Sequence, residues 1–343
     1  MNIDLAAFIL SSFVLFFMYW ISKHLRLLDY PNRNRKLHLQ PTPYTGGIAI
    51  LIINILLIKI TNYDIQIKNL IILSSAIVLL GFLDDKYNLQ VPLRVFFQVA
   101  CIFLIIQQGF LVTDLGKIFS NQEISLGAFS VIFTIICVAI IINGFNYLDG
   151  IDGLASSLFI NSLMVTGIFL CLQQNFLRDI KEILIFISIP VITFFLFNIR
   201  FLKLPKLFLG DNGSLLIGIM LSFLLIYISQ SKKLIEPGLI IWIVGLIFFD
   251  FFSTNISRIL KKRTAFTPGT DHLHFFLRKK IGLYKTLFLL NFFNILIAFY
   301  GYAIWYFFGN LFSLINFIIF AIIYLILLNK INFKKNLFYF MKK

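Results

Sequence analysis

Two carboxylates, Asp149 and Asp152, stand three residues apart in the segment Asn143-Gly-Phe-Asn-Tyr-Leu-Asp-Gly-Ile-Asp-Gly-Leu-Ala155, between two long apolar runs. Ionisable groups at the end of an apolar helix are costly to keep, so their default reading is functional. In helical conformation the two aspartates would share a face. Gly150 and Gly153 would let a large anion or its metal approach the backbone. Asp152 alone could cap the following helix, but capping leaves Asn143, Asn146 and Asp149 unexplained.

Four further segments carry groups of the same kind. Asp84 and Asp85 end an apolar run in Gly-Phe-Leu-Asp-Asp-Lys-Tyr-Asn88. Adjacent helical residues point about 100° apart, so the two should have different tasks, one toward a cation and one toward a substrate proton. Asp211 sits in Lys206-Leu-Phe-Leu-Gly-Asp-Asn-Gly-Ser214, which reads as an exposed turn before a helix. Magnesium takes a few carboxylates plus water and phosphate oxygens, and this aspartate suits it. His272 and His274 lie in a basic stretch with Lys261, Lys262 and Arg263 before them and Arg278, Lys279 and Lys280 after. Such donors suit a diphosphate. Asp29 to Gly47 brings Lys36 and His38 among prolines, again a phosphate-compatible loop. Hard oxygen ligands without a nearby cysteine disfavour a transition metal.

The elements that must position these groups are membrane helices. The chain is 59% apolar and 13% charged, about half the charged share of a soluble protein. Apolar runs predict an all-α polytopic bundle of about eleven spans, or ten if one pair merges, near 3–22, 46–60, 69–83, 95–112, 128–142, 154–174, 183–199, 214–229, 238–257, 286–307 and 311–328. The first run lacks a basic flank and a clear cleavage site, so it reads as a retained span. The three cysteines, Cys101, Cys137 and Cys171, fall in apolar runs and form neither a disulfide framework nor a zinc pattern.

The net charge of +15 does not point to nucleic acid, because it follows topology. About three quarters of the Lys and Arg residues fall on one side of the alternating spans, which makes that side cytoplasmic and the N-terminus external. Residues 329–343 form a basic cytoplasmic tail on a single transmembrane catalytic domain, 1–343. Asp29, Asp84, Asp85, Asp149, Asp152, Asp211, Asp250, Asp271 and all four histidines share the inner side.

These segments, in this order, resemble the polyprenyl-phosphate N-acetylhexosamine-1-phosphate transferases, from about Asp29 to Leu283. The Asn-x-x-Asn-x-x-Asp-Gly-Ile-Asp-Gly-Leu-Ala and Phe-x-Gly-Asp-x-Gly-Ser patterns carry most of the likeness. The Pro-Gly-x-Asp-His-x-His loop brings it nearer the bacterial undecaprenyl-phosphate GlcNAc-1-phosphate branch. The resemblance implies Mg-dependent transfer of N-acetylhexosamine 1-phosphate from a UDP-sugar, UDP-GlcNAc first, to undecaprenyl phosphate in the bacterial inner membrane. UMP would be released, as a first membrane step of a cell-envelope polysaccharide. It gives Asp211 the Mg2+ (Mn2+ as the alternative), and Asp84 and Asp85 the lipid phosphate. Asn146, Asp149 and Asp152 would line the nucleotide-sugar site, Phe208 would pack on uracil, and Asn198 would match an upstream asparagine. Lys36, His38, Lys206, Arg263, His272 and His274 would complete the substrate site. Asn88 and Phe275 depart from the family pattern, which has Asp and His there. The alternatives are another UDP-N-acetyl sugar, a phospho-MurNAc-pentapeptide donor or, from another class, a secondary transporter, whose expected internal repeat the sequence lacks. A homodimer is left open.

Overall fold

The structure, a computed structural model, describes residues 3–31, 40–61, 63–119, 122–262, 269 and 271–340, with side chains as far as residue 330. Among the described residues twelve α-helices follow one another: α1 (Ile3–His24), α2 (Gly46–Ile58), α3 (Ile65–Tyr87), α4 (Val91–Ile106), α5 (Ser130–Leu148), α6 (Leu154–Leu172), α7 (Arg178–Asn198), α8 (Gly210–Ile226), α9 (Pro237–Ile243), α10 (Gly245–Leu260), α11 (Leu273–Ile281) and α12 (Leu283–Phe340). A two-residue antiparallel ladder pairs β1 (Leu28–Asp29) with β2 (Thr42–Pro43). The fold is an all-α polytopic membrane bundle.

Each of the expected spans overlaps a helix or a bent pair, although the fourth, 95–112, overruns α4, which stops at Ile106. Among the described residues seven helices are long and apolar enough to cross a bilayer, eight if α9 and α10 form one span. The shorter α2 and α4 are apolar as well. The expected ninth span is not straight: it turns through 71° between α9 and α10. The last two expected spans are the arms of α12, separated at Gly309, where φ is +83°. The arms fold back on each other, since the Tyr300 hydroxyl donates to Asn316 at 2.7 Å and the Tyr300 and Phe320 rings lie 5.0 Å apart.

At the centre stands α8, buried from Asn212 to Ile226. It packs on α2, α3, α5 and α6. A second group, α9, α10 and the arms of α12, packs against the first through α5 and α6. The approach of α3 to α8 has a local cause: a Cβ on Gly81 would meet the Asn212 Cα at 2.4 Å. Only a residue without a side chain lets the two backbones touch here, and the contact brings the end of α3 onto the start of α8.

Helix ends are set by residues with matching preferences. Asp64 caps α3, accepting from the Gln66 N–H at 3.3 Å. At the other end of α3, Asn88 is exposed and left-handed, with φ at +49°. Asn is among the few side-chain-bearing residues that adopt this conformation readily. The departure from the family's Asp at this position therefore lies at a helix stop.

Candidate active site

The Asp84-Asp85 pair divides its work. Asp85 accepts from the N–H of Asp211 at 3.0 Å and of Asn212 at 3.2 Å, and from the Asn212 side chain at 2.6 Å. It serves as the N-cap of α8 from a different helix, supplying the acceptor that the first turn lacks. Asp84 is buried and faces elsewhere. One oxygen accepts from the Leu89 N–H at 2.9 Å, the other from Arg94 Nη1 at 2.9 Å. Its carboxylate is also an electrostatic neighbour of Asp211.

Asp211 belongs to the first turn of α8, not to an exposed turn ahead of it as the sequence suggested. The glycine and Asp85 begin the helix earlier than the apolar run. Asp211 Oδ1 accepts from Asn146 Nδ2 at 2.7 Å, and the same amide reaches Ser214 Oγ at 3.1 Å.

Asn143 and Asn146 lie within the last turns of α5, but the helix stops at Leu148. Asp149 and Asp152 therefore do not share a helical face. The cause is the glycine pair: Gly153 takes φ +80° and begins α6, so it, and not Asp152, holds the N-cap position. Asp152 instead pairs with Lys206 Nζ at 2.7 Å. The ammonium lies 4.8 Å from the centre of the Phe208 ring, so Asp152, Lys206 and Phe208 form one unit. Asp149 is held well above the usual carboxylate range, first by desolvation and then by the charges of Asp211, Asp85 and Asp152.

Asn198 is buried. Its amide donates to the Leu207 carbonyl at 2.7 Å and accepts from the Gly153 N–H at 2.5 Å. It ties the α5–α6 turn to the segment that carries Lys206 and Phe208.

The histidines of the basic stretch are buried. His274 lies against the α5–α6 turn, since a Cβ on Gly150 would meet its Nε2 at 2.7 Å and the Phe275 ring at 2.4 Å. Phe275 thus seats the loop on Gly150. Neither ring nitrogen of His274 has a hydrogen-bond partner among the described residues. Burial, then the nearby His272, pushes its imidazole down to about 3, so it is neutral. His272 Nδ1 faces the Asp250 carboxylate at 2.8 Å. Arg258 grips Asp271 through Nε at 3.0 Å and Nη2 at 2.7 Å and lies over the Tyr147 ring. Lys36, His38 and Arg263 lie outside the described residues.

The structure therefore brings together Asp84, Asp85, Asn146, Asp149 and Asp211, with Asp152, Lys206, Phe208, His272 and His274 around them. Sequence reading did not single out Arg94, Asn212, Asp250 or Arg258 as site groups. Asn212 and Arg258 stood at the edges of motifs, and Arg94 appeared only as a counter-charge. Asp250 gave no signal beyond its side of the membrane.

The donor set fits a hard divalent cation. Asp211 is within electrostatic reach of Asp84, and Asp149 within that of Asp211 and Asp85; of Asp84, Asp149 and Asp211, only Asp84 forms an ion pair among the described residues, with Arg94. Uncompensated carboxylates this close favour a bound cation or a shared proton.

The sequence profile described as glycosyl transferase family 4 matches residues 67–229. The undecaprenyl-phosphate alpha-N-acetylglucosaminyl 1-phosphate transferase of Escherichia coli K12 is 30% identical over 275 residues, covering 79% of this chain and 74% of that protein. Its counterpart in Yersinia pestis is 30% identical over 271 residues, 78% and 73% of the two chains. A probable undecaprenyl-phosphate N-acetylglucosaminyl 1-phosphate transferase of Bacillus subtilis is 29% identical over 254 residues, 72% and 68%.

Proposed function

The chain belongs to glycosyl transferase family 4 and is a sugar-phosphate transferase, and from that premise we propose that it transfers GlcNAc 1-phosphate from UDP-GlcNAc to undecaprenyl phosphate, releasing UMP. The observation that carries this reading is the seating of Asp211 at the start of α8 against the Asn146 amide and the Asp85 carboxylate, with Asp84 and Asp149 in its electrostatic neighbourhood. A site with surplus negative charge, beside a Lys206–Phe208 unit and a basic histidine loop, suits a cation-bound nucleotide diphosphate.

Asp211 would hold Mg2+ or Mn2+, with Asp84 and Asn146 beside it. The ion would neutralise the diphosphate and the charge that grows on the leaving phosphate. The lipid phosphate oxygen forms a bond to the β-phosphorus. The bond from that phosphorus to the bridging oxygen breaks, and UMP departs with the electron pair. A phosphate monoester loses its second proton near pH ~6, so a strong base is unnecessary. Asp84 then positions rather than deprotonates, and Asp85 fixes the turn that presents Asp211. Lys206 and Phe208 would receive the uridine, Lys206 being held by Asp152. Positioning and charge neutralisation supply most of the rate in such transfers. The active face is cytoplasmic in this reading, in a bacterial inner membrane, with the isoprenoid entering between apolar helices.

The test is UMP release by purified protein in detergent with undecaprenyl phosphate and a panel of UDP-sugars. Turnover with UDP-GlcNAc, abolished by EDTA and restored by Mg2+, is the expected result. Turnover only with another UDP-N-acetyl sugar or with UDP-MurNAc-pentapeptide would reassign the donor. Substrate flux in proteoliposomes without UMP would replace the reading by transport.

A further inference from the structure

Asp250 lies inside α10 and is 1% exposed. A buried carboxylate persists only with full compensation, and its two oxygens divide it. Oδ2 faces His272 Nδ1 at 2.8 Å. Oδ1 accepts from the hydroxyl of Tyr324 at 3.0 Å, and Tyr324 is itself buried on the second arm of α12. Ser257 of α10 donates to Asn329 on the same arm at 2.6 Å, which holds the two helices in register.

A carboxylate opposite Nδ1 requires the proton on that nitrogen. Nε2 then carries the lone pair, and Arg258 Nη2, a donor that cannot accept, lies 3.5 Å from it. Thr254 Oγ1 lies 3.2 Å from Nδ1. The Tyr147 ring meets the imidazole edge-on at 5.1 Å. A polar chain therefore runs from Tyr324 through Asp250 and His272 to the Arg258 guanidinium, which Asp271 grips from the other side.

We infer that Asp250, held by Tyr324, is a positioning residue that fixes His272 with its proton on Nδ1 and thereby orients Arg258 beside the α5–α6 turn. The inference rests on the proposed reading of the histidine loop as a contact for the donor diphosphate. The same atoms could suggest a transition-metal site, since ligand atoms of Asp250, His272 and His274 lie within 4.8 Å of one another. The hydrogen bonds already made by both Asp250 oxygens and the guanidinium beside His272 favour the proton-fixing arrangement.

Asp250→Asn is a directed perturbation. With its oxygen accepting from Tyr324, its amide N–H₂ faces His272 Nδ1, moves the ring proton to Nε2 and sets donor against donor at Arg258. The experiment combines UMP-release kinetics with 15N spectra of labelled histidines in nanodiscs. Asp250→Asn should lower kcat about 10- to 100-fold, with the KM for undecaprenyl phosphate changed less than about threefold. Asp250→Glu should recover part of the loss, and Tyr324→Phe should cost about two- to fivefold. In a His272→Ala background Asp250→Asn should cost nothing further. The spectra should show His272 protonated at Nδ1 in the wild type and at Nε2 in Asp250→Asn. An unchanged tautomer, an equal loss in the His272→Ala background, or a stoichiometric transition metal on the purified protein would overturn the inference. Should Asp250→Asn fail to fold, Tyr324→Phe and the wild-type spectrum decide it. A wild-type protein that releases no UMP would defeat the transferase reading alone, because the tautomer is read without turnover.

Discussion

The same two helices, α3 and α8, build a polar cluster at each end of the bundle, and the two clusters are made on opposite terms. At one end Asp64, the N-cap of α3, receives the Tyr227 hydroxyl from the end of α8 at 2.8 Å and Lys232 at 3.2 Å. Lys233 pairs with Glu123, and Gln230 accepts from the Thr113 N–H and hydroxyl. At the other end Asp84, Asp85, Asp149 and Asp211 crowd together around the same helices. The pKa directions follow. The Tyr227 hydrogen bond, then the Gln66 amide and Lys232, hold Asp64 below the usual carboxylate range despite partial desolvation. Burial and like charges hold Asp149 well above it. One end is arranged for stability; the other stores an excess of negative charge that a cation and substrate would relieve.

The largest expected effect tests the end with excess charge. Asp211→Asn should lower UMP release at least ~100-fold while the protein stays folded by circular dichroism. Retained activity would remove Asp211 from the cation site. Next, the aspartate pair should split. Asp85→Asn weakens the cap of α8 and should cost about 1–3 kcal/mol of stability as well as activity. Asp84→Asn should cost about tenfold in turnover with a smaller loss of stability. Matched losses from the two would erase the division of labour drawn from their hydrogen bonds.

A third variant sharpens the comparison by reversing its sign. Asp149→Asn removes an acid whose ionised form burial and neighbouring carboxylates disfavour, so in EDTA it should raise the melting temperature by ~2 °C, more at alkaline than at neutral pH, while lowering turnover. A lower melting temperature would show that the cluster is not strained by its charge. The smallest effect belongs to the opposite end. Asp64→Asn should cost ~0.5 kcal/mol, because the ion pair is a third exposed and screened, with turnover within about twofold of wild type. Since the folded Asp64 titrates below its unfolded value, its contribution is present above the unfolded pKa. It is lost as pH falls through the folded one. The Asn variant should lack that acid-side loss, and a pH–stability curve of wild type and variant reads the difference.

The contrast also explains what could be read from the residues alone. Apolar run length places every span, because backbone polar groups in lipid leave little choice but a helix. The break at Gly309 was visible as a gap between runs. The 71° turn at Val244 was not, since no Pro, Gly pair or charge interrupts the run there in a distinctive way. The site motifs announced themselves by unusual polarity, but their geometry depends on contacts between distant segments. Asp85 caps a helix that begins 125 residues later in the chain, at Gly210. Asp149 and Asp152 looked paired because a periodic pattern cannot show that Gly150 and Gly153 end one helix and begin another. Asp250 is a lone acid in an apolar run, and its partners lie 22 and 74 residues away. Lys36, His38 and Arg263 remain proposals from the sequence, outside the described residues.

The enclosure of α8 bears on how the chain is assembled. The helix is apolar enough to enter a bilayer by its own composition, yet in the finished protein none of its central window meets lipid. The four helices that surround it most closely, α2, α3, α5 and α6, all precede it in the chain. When α8 leaves the ribosome, its berth has already been synthesised, with Asp85 waiting at the mouth to receive the free N–H groups. Chain order therefore brings Asp211 into a receptacle made by helices synthesised before it, and the histidine segment that flanks it follows later in the chain.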